Sequence, residues 1–236
     1  ILPPPEPKNW SSQDGYGHIS VERAFETLLG IEIPSVADLG GNLWGCDNVG
    51  APEVWAASGA FPGVTGKDII VAVLDTGIDK DHIEFKGRLV DGYDFVNNDS
   101  DPADGHGHGT HCSGTIAGAN DGTGITGIAY DAKIMPVKVL SDGGSGATSG
   151  IVAGVRWAVD NGAHIINMSL GGGGFNQAFK DSIKYAADKG VVVCMSAGNG
   201  AGASPAYPAG YAVDNGIAVG AVDQGRNLAG FSNRSG

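Results

Sequence analysis

The amino-acid sequence predicts an α/β fold: a three-layer αβα sandwich around a mainly parallel sheet. Two patterns carry that expectation. Short apolar runs alternate with segments of helical periodicity, an order that buries strands on both faces and joins them by right-handed crossovers. Glycine is abundant, 41 of 236 residues, and it gathers at the ends of those runs, where backbone must turn sharply or approach a ligand. Composition agrees: 42% hydrophobic and 17% charged residues can bury a sizeable core and are too apolar for a disordered chain.

The elements follow in order. Ile1 to Pro7 is proline-rich and reads as an extended arm. Ser20 to Leu29 has helical spacing of Val21, Ala24, Phe25 and Leu28, with Gly30 as its stop, although Ser20 and Arg23 make no capping box. Asp38 to Asn42 reads as a loop, and residues 1–43 as an extension that packs on a main domain of residues 44–236. Asp68 to Leu74 is an apolar run expected to be a strand covered on both faces. Lys133 to Val139 is a second strand, with Pro136 arguing against a central position. Ile151 to Val159 is a helix, with Ile151, Val155, Ala158 and Val159 on one face. His164–Met168, Val191–Met195 and Ile217–Val222 are further buried strands, with a helix from about Asn176 to Asp188 between the first two. No internal repeat or low-complexity tract is present.

Charge narrows the function classes. Lys and Arg number 14 against 26 Asp and Glu, a net charge of −12, which argues against a nucleic-acid partner and suits a soluble protein that binds cations. No run approaches the roughly 18–20 apolar residues of a membrane helix, so no membrane partner is expected. The sequence starts at Ile1 with neither Met nor a charged segment followed by an apolar one, so any signal peptide is expected to be already gone or never present. Cys46, Cys112 and Cys194 are too few for a disulfide-built fold and are expected to be unpaired.

Chemistry concentrates in three motifs at strand ends or helix starts, where open α/β sheets hold ligands. In Val73-Leu-Asp75-Thr-Gly-Ile-Asp79 a carboxylate ends an apolar strand and needs hydrogen-bond donors to stay charged there; an Asx turn or helix cap explains it equally well. Gly105-His-Gly-His108-Gly-Thr-His111-Cys-Ser-Gly-Thr-Ile-Ala117 brings three histidines close together. His108 and His111 could face together as zinc ligands, or one imidazole at the helix start, aimed by a carboxylate, could accept a proton from a nucleophile. Zinc is disfavoured because no His-Glu-x-x-His arrangement is present. In Val193-Cys-Met-Ser-Ala-Gly-Asn199-Gly a strand ends on an Asn whose amide could donate to an oxyanion, or which simply forms a turn before Gly.

Together the motifs, in their order and spacing, resemble the subtilase family of serine proteases, and within it the thermitase branch, through Tyr93-Asp-Phe-Val-Asn-Asn-Asp99 and His108-Gly-Thr-His-Cys112. The resemblance runs from about Trp44 to Gly236, without a gap between His108 and Asn199. It implies a subtilisin-like fold in which Asp75 orients the imidazole, His108 is general base and then general acid, and Asn199 is the side-chain oxyanion donor. It also implies a peptide cleft between Gly144-Ser145-Gly146 and Ser169-Leu170-Gly171-Gly172, with the substrate added as a β-strand. Cys112 would be a packing thiol beside the catalytic His. The family's nucleophile lies in a Gly-Thr-Ser-Met-Ala motif, which does not occur in these residues. The expectation is therefore a fragment, truncated on the C-terminal side, whose partners are protein or peptide substrates, the remaining C-terminal part carrying the Ser, and its own propeptide. A non-catalytic peptide-binding protein with the same cleft is the alternative, to be decided by the residues beyond Gly236.

Calcium is the expected cofactor. Asp94, Asp99, Asp101 and Asp104 offer hard oxygen ligands at short loop spacing. The resemblance maps a calcium site onto Asp94, Asp99 and Asp101, with a further ligand lost at Ala103 or replaced by Asp104. It implies a second site around the loop Ala119-Asn-Asp-Gly-Thr-Gly-Ile125, using the carbonyls of Ala119, Thr123 and Ile125, the Asp121 side chain and the Glu84 carboxylate. A third, weaker site falls near Ala209 and Tyr211. Solvated acidic loops explain the first two clusters as well. Acidity, calcium and family habit together imply a secreted or extracytoplasmic protein.

Overall fold

A computed structural model describes residues 17–59 and 61–234. The Ile1–Pro7 arm lies outside them. The described chain forms a six-stranded sheet, all of whose pairs are parallel. Its strands are β1 (Ile70–Asp75), β2 (Tyr93–Asp94), β3 (Lys133–Lys138), β4 (Ile165–Met168), β5 (Val192–Ser196) and β6 (Ile217–Val219), arranged β2-β3-β1-β4-β5-β6. The helices are α1 (Val21–Leu29), α2 (Trp44–Val49), α3 (Ala51–Trp55), α4 (His108–Ala117), α5 (Thr148–Asp160) and α6 (Gln177–Asp188).

Alternation along the strands builds the layers. Val71, Val73 and Ile134 face Ala117 with Cys112 and Ile116 of α4. Ala72, Leu74, Val137 and Ile166 point the other way, onto Val155 and Ala158 of α5 and Ile183 and Ala186 of α6. Because successive side chains point to opposite faces, a buried parallel strand must be apolar at every position, which explains why β1 reads as one continuous run. The result is the three-layer sandwich expected from the sequence. Among the described residues no helix is long and apolar enough to cross a membrane.

Several local expectations change. Ser20 caps α1 after all, its hydroxyl accepting from the Arg23 N–H at 3.2 Å without help from a capping box. Residues 38–42 run into a short 3₁₀ turn at Gly41–Leu43. β3 lies inside the sheet despite Pro136. The register explains this. Both backbone groups of Ile134 bond toward residues 88–90, so Pro136, two residues on, turns its missing N–H to the same side. There the ladder is interrupted between the Leu89–Ile134 bridge and the start of β2, and no donor is needed. Gly92 fills the gap, since a Cβ there would overlap the Pro136 carbonyl. β6 is shorter than Ile217–Val222 and is exposed rather than buried, with Ile217 at 47%, because among the described residues it lies at an edge of the sheet. The segment before β1 packs through Phe25 and Val21 on Val54 and Phe61.

Candidate active site

Asp75 is the last residue of β1 and is fully buried. His108 is the first residue of α4, preceded by Gly107 in the left-handed conformation (φ 96°). The packing of α4 across β1 brings the two together: His108 Nδ1 and Asp75 Oδ1 are 2.7 Å apart. Asp75 Oδ1 also accepts the Thr76 N–H at 2.8 Å. The imidazole remains 43% exposed and opens onto a cleft, so one ring nitrogen is committed to a buried carboxylate while the ring still reaches solvent. A carboxylate that fixes the tautomer leaves the other nitrogen free to accept a proton.

The cleft has a volume of about 450 Å³. Gly144, Ser145 and Gly146, Ser169, Leu170, Gly171 and Gly172, together with His108 and Thr76, all line it. The structure thus gathers every residue that the sequence pointed to for substrate binding around the imidazole. Asn199 follows β5, is exposed, and lines an adjoining cavity of about 290 Å³ together with Asn167 and Ser169. Ser169 borders both cavities and so joins the Asn199 side to the His108 side. The loop carrying Asn199 is tied down by Asn233, whose N–H donates to the Gly198 carbonyl at 2.8 Å and whose side-chain amide donates to the Ala197 carbonyl at 3.1 Å.

Other polar groups around the pair are not evident from spacing. Lys138 ends β3, directly beside Asp75 in register, with its side chain only 4% exposed. Its ammonium donates to the Thr76 carbonyl and to Asp142 Oδ1 (2.7 Å for the latter), and it holds the Asp142 carboxyl below its usual range. A lysine at the end of an apolar run was the signal available. Cys112 Sγ lies 3.9 Å from His108 Nδ1. Burial raises the thiol's pKa, which Ser169 partly offsets and the charges of Asp75 and Asp104 reinforce. Cys46, Cys112 and Cys194 are all free thiols.

The metal expectations fare differently. Among the described residues the one group of three His, Cys or acidic side chains with ligand atoms within 4.8 Å is Asp75, His108 and Cys112. His106 and His111 are not part of it. Nor does any trio of Asp94, Asp99, Asp101 and Asp104 converge. Asp94 accepts the N–H groups of Val96 (2.6 Å) and Asn97 (2.9 Å), Asp99 accepts that of Asp101, and Asp101 pairs with Lys80 at 2.6 Å. Asp104 turns away to the start of α4. At the second loop Glu84 is 5% exposed and accepts the N–H groups of Ala119 (2.7 Å) and Ile125 (3.3 Å), while Asp121 bonds Thr123. Among the described residues the Glu84 carboxylate makes no ion pair, and its bonds go to the backbone of the loop.

A buried carboxylate paired with an imidazole that lines a cleft defines a class of site, the acid–base couple. The model of the subtilase family matches residues 66–236, and the chain belongs to that family. It is 40% identical to thermitase of Thermoactinomyces vulgaris over 190 residues, 80% of this chain and 65% of that protein. It is 43% identical to subtilisin Savinase of Lederbergia lenta over 189 residues, 80% of this chain and 66% of the relative. A crystal structure described as a cold adapted subtilisin-like serine proteinase superposes with a TM-score of 0.69 at 36% identity, covering 82% of this chain and 69% of the other. The chain thus spans about two thirds of these relatives, and only 47% of a thermophilic serine proteinase of Bacillus sp. (strain AK1).

Proposed function

We propose that the whole protein is a serine endopeptidase to which this chain contributes the acid, the base, the oxyanion donor and most of the substrate cleft. The observation that carries the reading is the 2.7 Å contact between His108 Nδ1 and fully buried Asp75 at the mouth of the cleft. With Nδ1–H donated to Asp75, Nε2 accepts the proton of an attacking hydroxyl and later returns it to the leaving amine. Asp75, held by the Thr76 N–H, stabilises the imidazolium formed between these steps. The exposed Asn199 amide, with no hydrogen-bond partner among the described residues, is free to donate to the oxyanion. Protein or peptide substrates lie along the glycine-rich walls as an added strand.

The test is to read the gene past Gly236 and assay that product. Peptide hydrolysis is expected, with irreversible loss on treatment with a serine-directed phosphonyl fluoride. H108A should lower kcat by more than about 10⁴-fold, a scale taken from subtilisin, the worked example for such losses. A product that binds peptides in the cleft but is not labelled is a peptide-binding protein instead.

Calcium belongs to the same proposal, as a structural ion at the Glu84 loop with Asp121 beside it. The buried Glu84 carboxylate, set against the Ala119–Ile125 loop, supports it, since such a hard oxygen ligand suits calcium. Chelation should then lower Tm, and E84Q should abolish the calcium dependence. A secreted or extracytoplasmic location, and a propeptide and a C-terminal part as partners, complete the proposal, and fractionation with sequencing of the mature ends checks them.

A further inference from the structure

We propose that Asp104 is a positioning residue that holds the acid and the base of the site in register. This inference rests on the proposed acid–base couple and adds the device that keeps it assembled. Asp104 Oδ1 accepts the backbone N–H groups of His106 (2.9 Å) and Gly107 (2.8 Å), and Oδ2 accepts the N–H (2.9 Å) and the hydroxyl (2.6 Å) of Thr110. Those donors flank His108 on both sides, so one carboxylate fixes the first turn of α4. Its charge also complements the positive end of that helix. Asp104 reaches the other partner as well. Its Oδ1 accepts the Thr76 hydroxyl at 2.9 Å, and Thr76 in turn accepts the Gly109 N–H at 2.9 Å and gives its own N–H to Asp75. Thr76 is 1% exposed, so its end of this linkage is shielded from water. Burial by itself would raise the Asp104 pKa, but the bonds from Thr110, Gly107 and His106 outweigh it and hold the carboxyl below the usual aspartate range. The link runs from the start of α4 through Asp104 and Thr76 to Asp75, closing a loop whose remaining side is the Asp75–His108 bond.

The readout is the tautomer of His108 in the ¹⁵N-histidine-labelled full-length gene product, with the downfield resonance of an Nδ1 proton shared with a carboxylate. Charged and titratable neighbours are Asp75, Asp104, Cys112, His106, His111, Lys138 and Asp142, all of which the substitutions leave in place except Asp104. The unsubstituted chain should hold neutral His108 as the Nδ1–H form and show the resonance. D104A should lose the resonance and lower the Nδ1–H to Nε2–H ratio about tenfold or more, the weight of one charge-assisted hydrogen bond, with the far-UV circular dichroism unchanged. A folded D104A that keeps both the resonance and the ratio overturns the inference. If D104A does not fold, D104N decides. It keeps an acceptor but turns an amide N–H₂ toward one set of donors, so loss of the resonance supports the inference and retention overturns it. Absence of the resonance in the unsubstituted chain would remove the acid–base couple itself, and the proposed function with it.

Discussion

Substituting Gly109 by alanine puts the spacing between β1 and α4 under direct load. Gly109 is the second residue of α4 and is buried against the turn that follows Asp75. A Cβ there would overlap the Gly77 carbonyl and lie 3.0 Å from Gly77 N and 3.2 Å from Asp75 Cβ. Ordinary carbon contacts are about 3.5–4.0 Å, so the helix start must retreat by roughly 1 Å. The His108–Asp75 contact of 2.7 Å then opens beyond a good hydrogen bond. Overpacking of this kind costs about 1–3 kcal/mol, which for a domain of this size is a fall in Tm of about 2–12 °C. A misplacement of about 1 Å at a reacting group costs about 10²-fold in rate. Differential scanning calorimetry and kcat, both on the gene product carrying the nucleophile, measure the two effects. A G109A enzyme within about threefold of the parent kcat would refute the claim that close approach of β1 and α4 sets the chemistry.

G45A makes the matching control: Gly45 lies within α2 with nothing within 4 Å of an added Cβ, so helix stability should rise by about 0.5–1 kcal/mol and Tm with it. Glu22 has a raised pKa because of its burial first and then the charges of Glu53 and Glu26; the folded form therefore holds its proton more tightly, and its stabilisation is present at acid pH and lost as pH rises through the raised value. E22Q should raise Tm at neutral pH, with the gain vanishing at acid pH, as a pH series of melts would register. Burial keeps the Cys112 thiol protonated near neutrality, so alkylation should be slow, whereas a mercurial bound to Sγ, 3.9 Å from the imidazole, should disrupt the His108–Asp75 bond; an unperturbed downfield proton after confirmed modification would contradict this.

Much of the frame is legible in the sequence because it depends on local pattern. The β1 run, the face of α5 and the existence of α6 follow from periodicity, while the cap that Asn176 places on α6, accepting the Phe179 N–H at 3.0 Å, is added by the structure. Asp75, His108 and Asn199 each have an ordinary local explanation and stand out only through the order and spacing of their three motifs, which carry the family resemblance. What stays hidden depends on partners far away in the chain. Pro136 inside the sheet requires knowing which edge of β3 its nitrogen faces. Asp104 looks like one more acidic residue in a loop until the N–H groups of α4 are seen converging on it. Exposure of Ile217 follows from sheet order, which an apolar run does not encode. Asn48, whose amide donates to the Gln224 carbonyl at 3.1 Å, spans a sequence distance that no motif signals.

Arg88 gives α4 a second anchor: its guanidinium donates to the carbonyls of Ala117, Tyr130 and Glu84, at the end of the helix opposite Asp104. A rod pinned by an anion at its head and a cation at its tail cannot slide or tilt without breaking both fastenings. Under the proposed function, adjustment to different substrates therefore falls to the glycine-rich segments 143–146 and 171–174, which carry no part of the acid–base couple. Selectivity can drift through those segments while the proton-handling pair stays where it is.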